Sequence, residues 1–171
     1  MTPSDNPCFH RSPTPSAAQN PDRAERVIAF IERFCLVTIG ATAGQPLRLR
    51  PWQKAFIRDV YTPARPDGRR LVRRAVFSQP RKGGKSELTA ALILAHLVGP
   101  EAEPNGEIYS AANDREQAAI VFNAVRRMVE ASPTLSGLIT IVPSTKTAFV
   151  KGSGLKSAGS RFRALSADAG T

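Results

Sequence analysis

Residues 74–98, RAVFSQPRKGGKSELTAALILAHLV, constrain the chain more than any other stretch. Arg74 to Ser78 is a short run with β-branched and aromatic members, the composition of a buried strand. Gln79 to Gly84 reads as a loop. Ser86 to Val98 is apolar on more than one face, and Gly99-Pro100 stops it. A helix apolar all round has to be covered on several sides, so it belongs inside a layered core rather than on a surface. Strand, glycine-containing loop and buried helix in that order predict an α/β fold.

The rest of the chain continues the alternation. Asp22 followed by Glu25 reads as a capping box, with Val27, Phe30, Ile31 and Phe34 at helical spacing, which predicts a helix over about 23–36. Gly40 to Gln45 is a loop. Pro51-Trp52-Gln53 opens a second helix carrying Trp52, Phe56, Ile57 and Val60, broken by Pro63 to Gly68. Glu107 to Ala112 predicts a strand. Asn113 with Glu116 caps a helix with apolar positions Ala118, Val121, Phe122, Val125, Met128 and Val129, ended by Ser132-Pro133. Shorter strands are expected at Leu138–Val142, Thr147–Val150 and Phe162–Leu165. The expected fold is a parallel sheet with crossover helices. Residues 1–21 are Pro- and Ser-rich and polar and are expected to form a disordered tail, with residues 22–171 as one folded unit.

No apolar run is long enough to cross a bilayer, and the first residues do not form a signal peptide. Cys8 and Cys35 are too few for a disulfide framework, which points to reduced thiols in a cytosol. With only His10 and His96 beside them, no zinc-ligand spacing exists. The net charge of +10 is concentrated: between Arg48 and Lys85 there are twelve Lys or Arg against Asp59 and Asp67, so the remainder sums to zero. That block reads either as a contact surface for a polyanion or as a solvated basic face.

The loop carries the chemistry. In the pattern G-x-x-x-x-G-K-[ST], Gly84, Lys85 and Ser86 hold the last three positions, while Gln79 stands where the opening glycine belongs. Gly83 and Gly84 allow backbone N–H groups to turn toward phosphate oxygens. Lys85 offers a charge to β- and γ-phosphates. Ser86 can ligate Mg²⁺, and the following helix presents its positive dipole end. Pro80 fixes one φ on the altered path into the loop. Ser78 and Ser110 lie at strand ends, where serines are usually structural.

PRKGGKS, with proline and arginine replacing the first glycine, resembles the loop of terminase large subunits, the DNA-packaging motors of tailed bacteriophages. ERVIAFIERFCLVTIGATAGQPLRLRPWQKAFIRDVY is similar to that family's N-terminal helix and its Leu-x-Pro-Trp-Gln adenine segment. EIYSAANDREQA resembles the strand and helix start after the loop, and FRALSADAGT the approach to the Walker B strand. The resemblance spans about residues 24–171. It implies part of an ASCE-type P-loop NTPase sheet with flanking helices, binding ATP and Mg²⁺. It implies nucleotide contacts at Gln53, Pro80, Arg81, Lys82, Gly83, Gly84, Lys85 and Ser86. Ser86 is then the metal ligand, while Arg81 and Lys85 stabilise charge during transfer. Gln53 alternatively reads as a surface glutamine beside a buried Trp52. The implied partners are double-stranded DNA, a terminase small subunit, the portal protein of the procapsid and further copies in a ring, in the host cytoplasm.

The resemblance also implies a Walker B aspartate with an adjacent glutamate, and a metal-dependent nuclease domain. Asp168 does not follow a hydrophobic strand and is not assigned that role, so the chain is expected to end before these parts, to bind ATP weakly at best, and neither to hydrolyse it nor to cut DNA. Two other readings stay open: another P-loop ATPase such as a superfamily 2 helicase (a kinase would leave Trp52-Gln53 without a role), and a non-catalytic basic nucleic-acid-binding fragment. Arg69, Arg70, Arg73 and Arg74 exceed what ATP needs, and are expected either to touch DNA or a subunit, or to face solvent.

Overall fold

In a computed structural model, residues 18, 19, 21–80, 83–152 and 157–167 are described. Strand β3 (Glu107–Ala112) lies parallel to β6 (Arg161–Ser166), with Glu107 opposite Arg161 and Ala112 opposite Ser166. Two further strands, β4 (Ile139–Val142) and β5 (Thr147–Val150), extend the sheet in the order β3-β6-β5-β4, with both added pairings antiparallel. Among the described residues, the expected parallel sheet is therefore parallel only between β3 and β6. Lys146 donates to the Pro143 carbonyl at 3.2 Å in the short turn between β4 and β5, and a turn that tight can only return antiparallel.

Helix α3 (Lys85–Leu97) supplies the centre, as its composition requires: Leu88, Ala90, Ala91, Ile93, Leu94, Ala95 and Leu97 are all buried. It packs between α1 (Pro21–Phe34) and α4 (Arg115–Ala131), and α4 in turn covers β6 and β3. Helix α2 (Pro51–Tyr61) lies antiparallel against α1, joined by Arg58–Glu25 at 2.7 Å and Lys54–Glu32 at 2.9 Å. Arg23 of α1 makes a two-pronged pair with Glu101, at 2.8 and 2.7 Å, just beyond α3. One sheet face, including Phe162 and Ala164, is buried against the helices; the other exposes Tyr109, Phe149 and Leu165.

Several local expectations need correction. Ala18–Gln19 form a two-residue strand, β1, antiparallel to β2 (Pro63–Ala64), and α1 already begins at Pro21. The remainder of the expected tail, 1–17 and Asn20, lies outside the described residues, as does Asp168. Glu25 pairs with Arg58 across the helices rather than closing a capping box with Asp22. The cap of α4 is Asp114, not Asn113, and accepts from the Gln117 N–H at 2.7 Å. Ser132-Pro133 ends α4 but also starts a short helix, α5 (Pro133–Leu138), that the proline had masked as a plain stop.

The largest departure concerns residues 74–78. They form no strand, and Val76 is 95% exposed instead of buried. A β-prone run becomes a strand only where a neighbour offers a ladder, and among the described residues none does. Phe77 anchors the segment instead, stacking on Trp52 with ring centroids 5.4 Å apart and touching Phe56 at 4.8 Å.

Candidate nucleotide site

The loop expected to hold phosphate opens directly onto the first turn of α3. Gly84 is the residue before that helix and takes a left-handed conformation, φ +76° and ψ +16°. A side chain is disfavoured there by backbone sterics alone, so glycine is required for the chain to enter the helix on this path. Gly83 has a different reason. A Cβ on it would lie 3.1 Å from the Pro80 carbonyl and 3.2 Å from the Gln79 Cβ, and its own N–H donates to that Pro80 carbonyl at 3.2 Å. The two glycines thus serve the turn and the close approach separately.

Lys85 and Ser86 occupy the first two positions of α3, both half-buried. The Lys85 ammonium donates to the carbonyls of Gln79 and, at 3.0 Å, Pro80, and so reaches back across the loop. Gln79 therefore supports the loop through its main chain although it lacks the freedom of the glycine it replaces. Arg81 and Lys82 lie outside the described residues. Glu87, also in the first turn, accepts from the Thr38 N–H at 3.2 Å.

Gln53 is brought to the same place from the first turn of α2. Its Oε1 accepts from the Arg50 N–H at 2.8 Å, closing the start of α2. Its Nε2 faces Gly84, 3.8 Å from where a Cβ on that glycine would stand. Gln53 is buried, with 6% of the residue exposed, so the surface-glutamine alternative does not hold. Trp52, expected to be buried, is only partly so and stacks on Phe77. Sequence reasoning missed Glu87, Phe77 and Arg50 as residues that shape the loop. Glu87 was legible as the residue straight after Gly-Lys-Ser, but its partner Thr38 was not.

The remaining candidates fall elsewhere. Arg70 lies over the Tyr61 ring, 5.2 Å from its centroid, and Arg69 approaches Asp67 at 3.8 Å on the surface. Arg73 and Arg74 are exposed and border an open cavity of about 220 Å³ that no described residue of the 79–86 segment lines. Ser110 sits in β3 with its hydroxyl buried. Cys35 is buried, and burial pushes its thiol up to about 12. Among the described residues, no three His, Cys, Asp or Glu side chains gather as a metal cage, and no helix is long and apolar enough to cross a membrane.

Residues 51–168 match the family profile described as terminase large subunit, ATPase domain. The chain is 54% identical over 125 residues to the terminase large subunit of Enterobacteria phage HK97, covering 72% of this chain and 24% of that protein. It superposes on the crystal structure of the HK97 bacteriophage large terminase with a TM-score of 0.71 at 48% identity, covering 87% of this chain and 28% of that one. The chain thus spans about a quarter of the length of the relatives it matches. Its mixed α/β architecture is that of the P-loop fold, and the profile covers most of the folded residues: the chain belongs to the terminase large subunit ATPase domain family.

Proposed function

We propose that this chain is the ATP-binding part of a phage DNA-packaging motor that couples ATP hydrolysis to movement of double-stranded DNA into a procapsid. The observation that carries the reading is the left-handed Gly84 opening α3, with Lys85 following it and the Gln53 amide beside it. The residues fit the group they would hold. The Gly83 N–H gives up the Pro80 carbonyl for a phosphate oxygen, the Gly84 N–H and the positive end of α3 face the phosphates, and Pro80 sets the entry to the loop. Lys85 exchanges its two carbonyl acceptors for β- and γ-phosphate oxygens, a charge-assisted contact stronger than the one it leaves. Arg81 offsets charge that develops on the transferred group, and Lys82 adds to the local field.

The Ser86 hydroxyl, in the first turn of α3, would hold Mg²⁺, which would offset charge on the phosphates. Gln53 Nε2 is the donor for the adenine edge, its Oε1 being committed to Arg50. The partners are DNA, a terminase small subunit, the portal protein and further copies in a ring, in the host cytoplasm. Exposed Arg73 and Arg74 are the candidates for DNA or subunit contact outside the nucleotide site. The test is equilibrium titration with a fluorescent ATP analogue in the presence and absence of Mg²⁺. Saturable, Mg²⁺-strengthened binding that competes with ATP supports the reading; no binding at millimolar nucleotide removes it.

A further inference from the structure

Residues 35–47 form a closed hairpin between α1 and α2. Leu47 N–H donates to the Cys35 carbonyl at 2.9 Å, Val37 N–H to Gln45 at 2.9 Å, and Gly44 N–H to Val37 at 2.8 Å. The hairpin precedes the residues matched by the family profile, which begin at 51. One further bond ties it to the loop helix: the Thr38 N–H reaches Glu87 Oε1 at 3.2 Å. Glu87 is the third residue of α3, so this bond sets the hairpin beside the same helix start that Gln53 approaches from α2. The next residue, Ile39, is an aliphatic side chain left 66% exposed on a segment otherwise held by backbone bonds.

We propose that Glu87 is a positioning residue that fastens this hairpin as one wall of the nucleotide site, and that Ile39 provides the apolar surface against which the nucleobase packs. The proposal rests on the ATP reading and adds the side of the site that recognises the base rather than the phosphates. A carboxylate so close to the phosphates would oppose them if it faced them; bonded to a backbone N–H, it serves the hairpin instead. Its effect is therefore confined to the nucleoside. A base resting on an aliphatic side chain gains by removing apolar surface of both from water, and loses that gain once the wall swings free.

The experiment compares ATP with inorganic tripolyphosphate, which has the phosphates and no base, as competitors of a fluorescent ATP analogue on the full chain. Glu87→Ala and Ile39→Ser are each expected to weaken ATP roughly tenfold while changing tripolyphosphate less than about twofold. Glu87→Gln keeps an acceptor for Thr38 and is expected to bind ATP within about twofold of the parent. Circular dichroism checks that each variant is folded, and Ile39→Ser, on the surface, tests the wall if Glu87→Ala unfolds. Equal losses of ATP and tripolyphosphate, unchanged ATP binding in Ile39→Ser, or a Gln variant as weak as the Ala variant would each overturn the proposal. Failure of the parent chain to bind either competitor would overturn the nucleotide reading itself, and this proposal with it.

Discussion

Lys85 donates from its ammonium to the carbonyl of Pro80, five residues earlier in the loop, at 3.0 Å. The charge is thus already held over the loop by weak neutral acceptors, ready to be taken by stronger anionic ones. Replacing Lys85 with alanine should weaken ATP binding on the order of 100-fold, a few kcal/mol of lost charge-assisted contact. Titration with a fluorescent ATP analogue reads this directly. Parent-like affinity in the alanine variant would show that the loop does not bind phosphate.

Gly84 makes a prediction about the backbone alone. Among the described residues, a methyl group there meets only Gln53 Nε2, at an ordinary 3.8 Å, so none of them clashes with it. The cost of Gly84→Ala is then conformational, about 1–2 kcal/mol for an alanine held at φ +76°. Urea unfolding should show the midpoint falling with an unchanged m-value. A midpoint equal to the parent's would mean that the left-handed turn is not what the folded chain adopts.

Gln53 separates two roles within one side chain. Glu at this position keeps an acceptor for the Arg50 N–H, at the positive end of α2, but removes the donor facing Gly84. Gln53→Glu should leave stability near the parent's while erasing any preference for ATP over GTP in competition titrations. Gln53→Ala should lose both, with about 1 kcal/mol of stability going with the cap. A glutamate variant that still prefers ATP would remove Gln53 from base recognition.

His96 makes stability depend on pH. Its Nε2 lies 2.9 Å from the Tyr61 hydroxyl and 3.4 Å from Arg70, and arginine can only donate, so this nitrogen accepts. Burial first, then the charges of Arg70 and Arg23, hold its pKa below 6.5, against the smaller opposing pull of Glu101 and Glu103. The unfolded imidazole takes its proton near 6.5 and the folded one only at lower pH. Below 6.5 the unfolded chain binds more protons, so stability falls as pH falls. The decline should be no steeper than about 1.4 kcal/mol per pH unit for one proton, and His96→Gln should flatten it. Glu25 and Glu32 are held below 4.5 and act only at lower pH. Urea midpoints measured from about pH 7 to pH 5 check the slope; a parent curve already flat there would exclude His96 as its source.

Turnover is a separate question from binding. An attacking water must be oriented and deprotonated, and the one carboxylate in the first turn of α3, Glu87, is engaged with the Thr38 N–H. Residues 1–171 should therefore show steady-state ATPase no higher than the same preparation carrying Lys85→Ala. Phosphate release clearly above that control would place a catalytic carboxylate within these residues, with Asp114 and Asp168 the first to replace.

The chain's own composition determined the parts that depend on local pattern. An almost wholly apolar run named α3 as the buried helix, and Glu107–Ala112 was readable as a strand to the residue, because burial and period are properties of consecutive side chains. Gly83-Gly84-Lys85-Ser86 announced the loop for the same reason: each residue's role there is set by its own backbone freedom or charge. Even the antiparallel return at Pro143–Lys146 was available, since four residues cannot make a crossover.

Tertiary structure decided everything that needed a distant partner. Val76 has the composition of a strand and stands in the open, because a ladder is made by two segments and only one was visible in the run itself. Gln53 is buried and aimed at Gly84 only because α2 packs on α1 and its start meets the loop. Thr38 and Glu87, forty-nine residues apart, are joined by one hydrogen bond that no spacing rule contains. Propensity acts between neighbours in sequence, whereas contacts that close a site repay the loss of chain freedom over long loops, and that balance exists only once the core has formed.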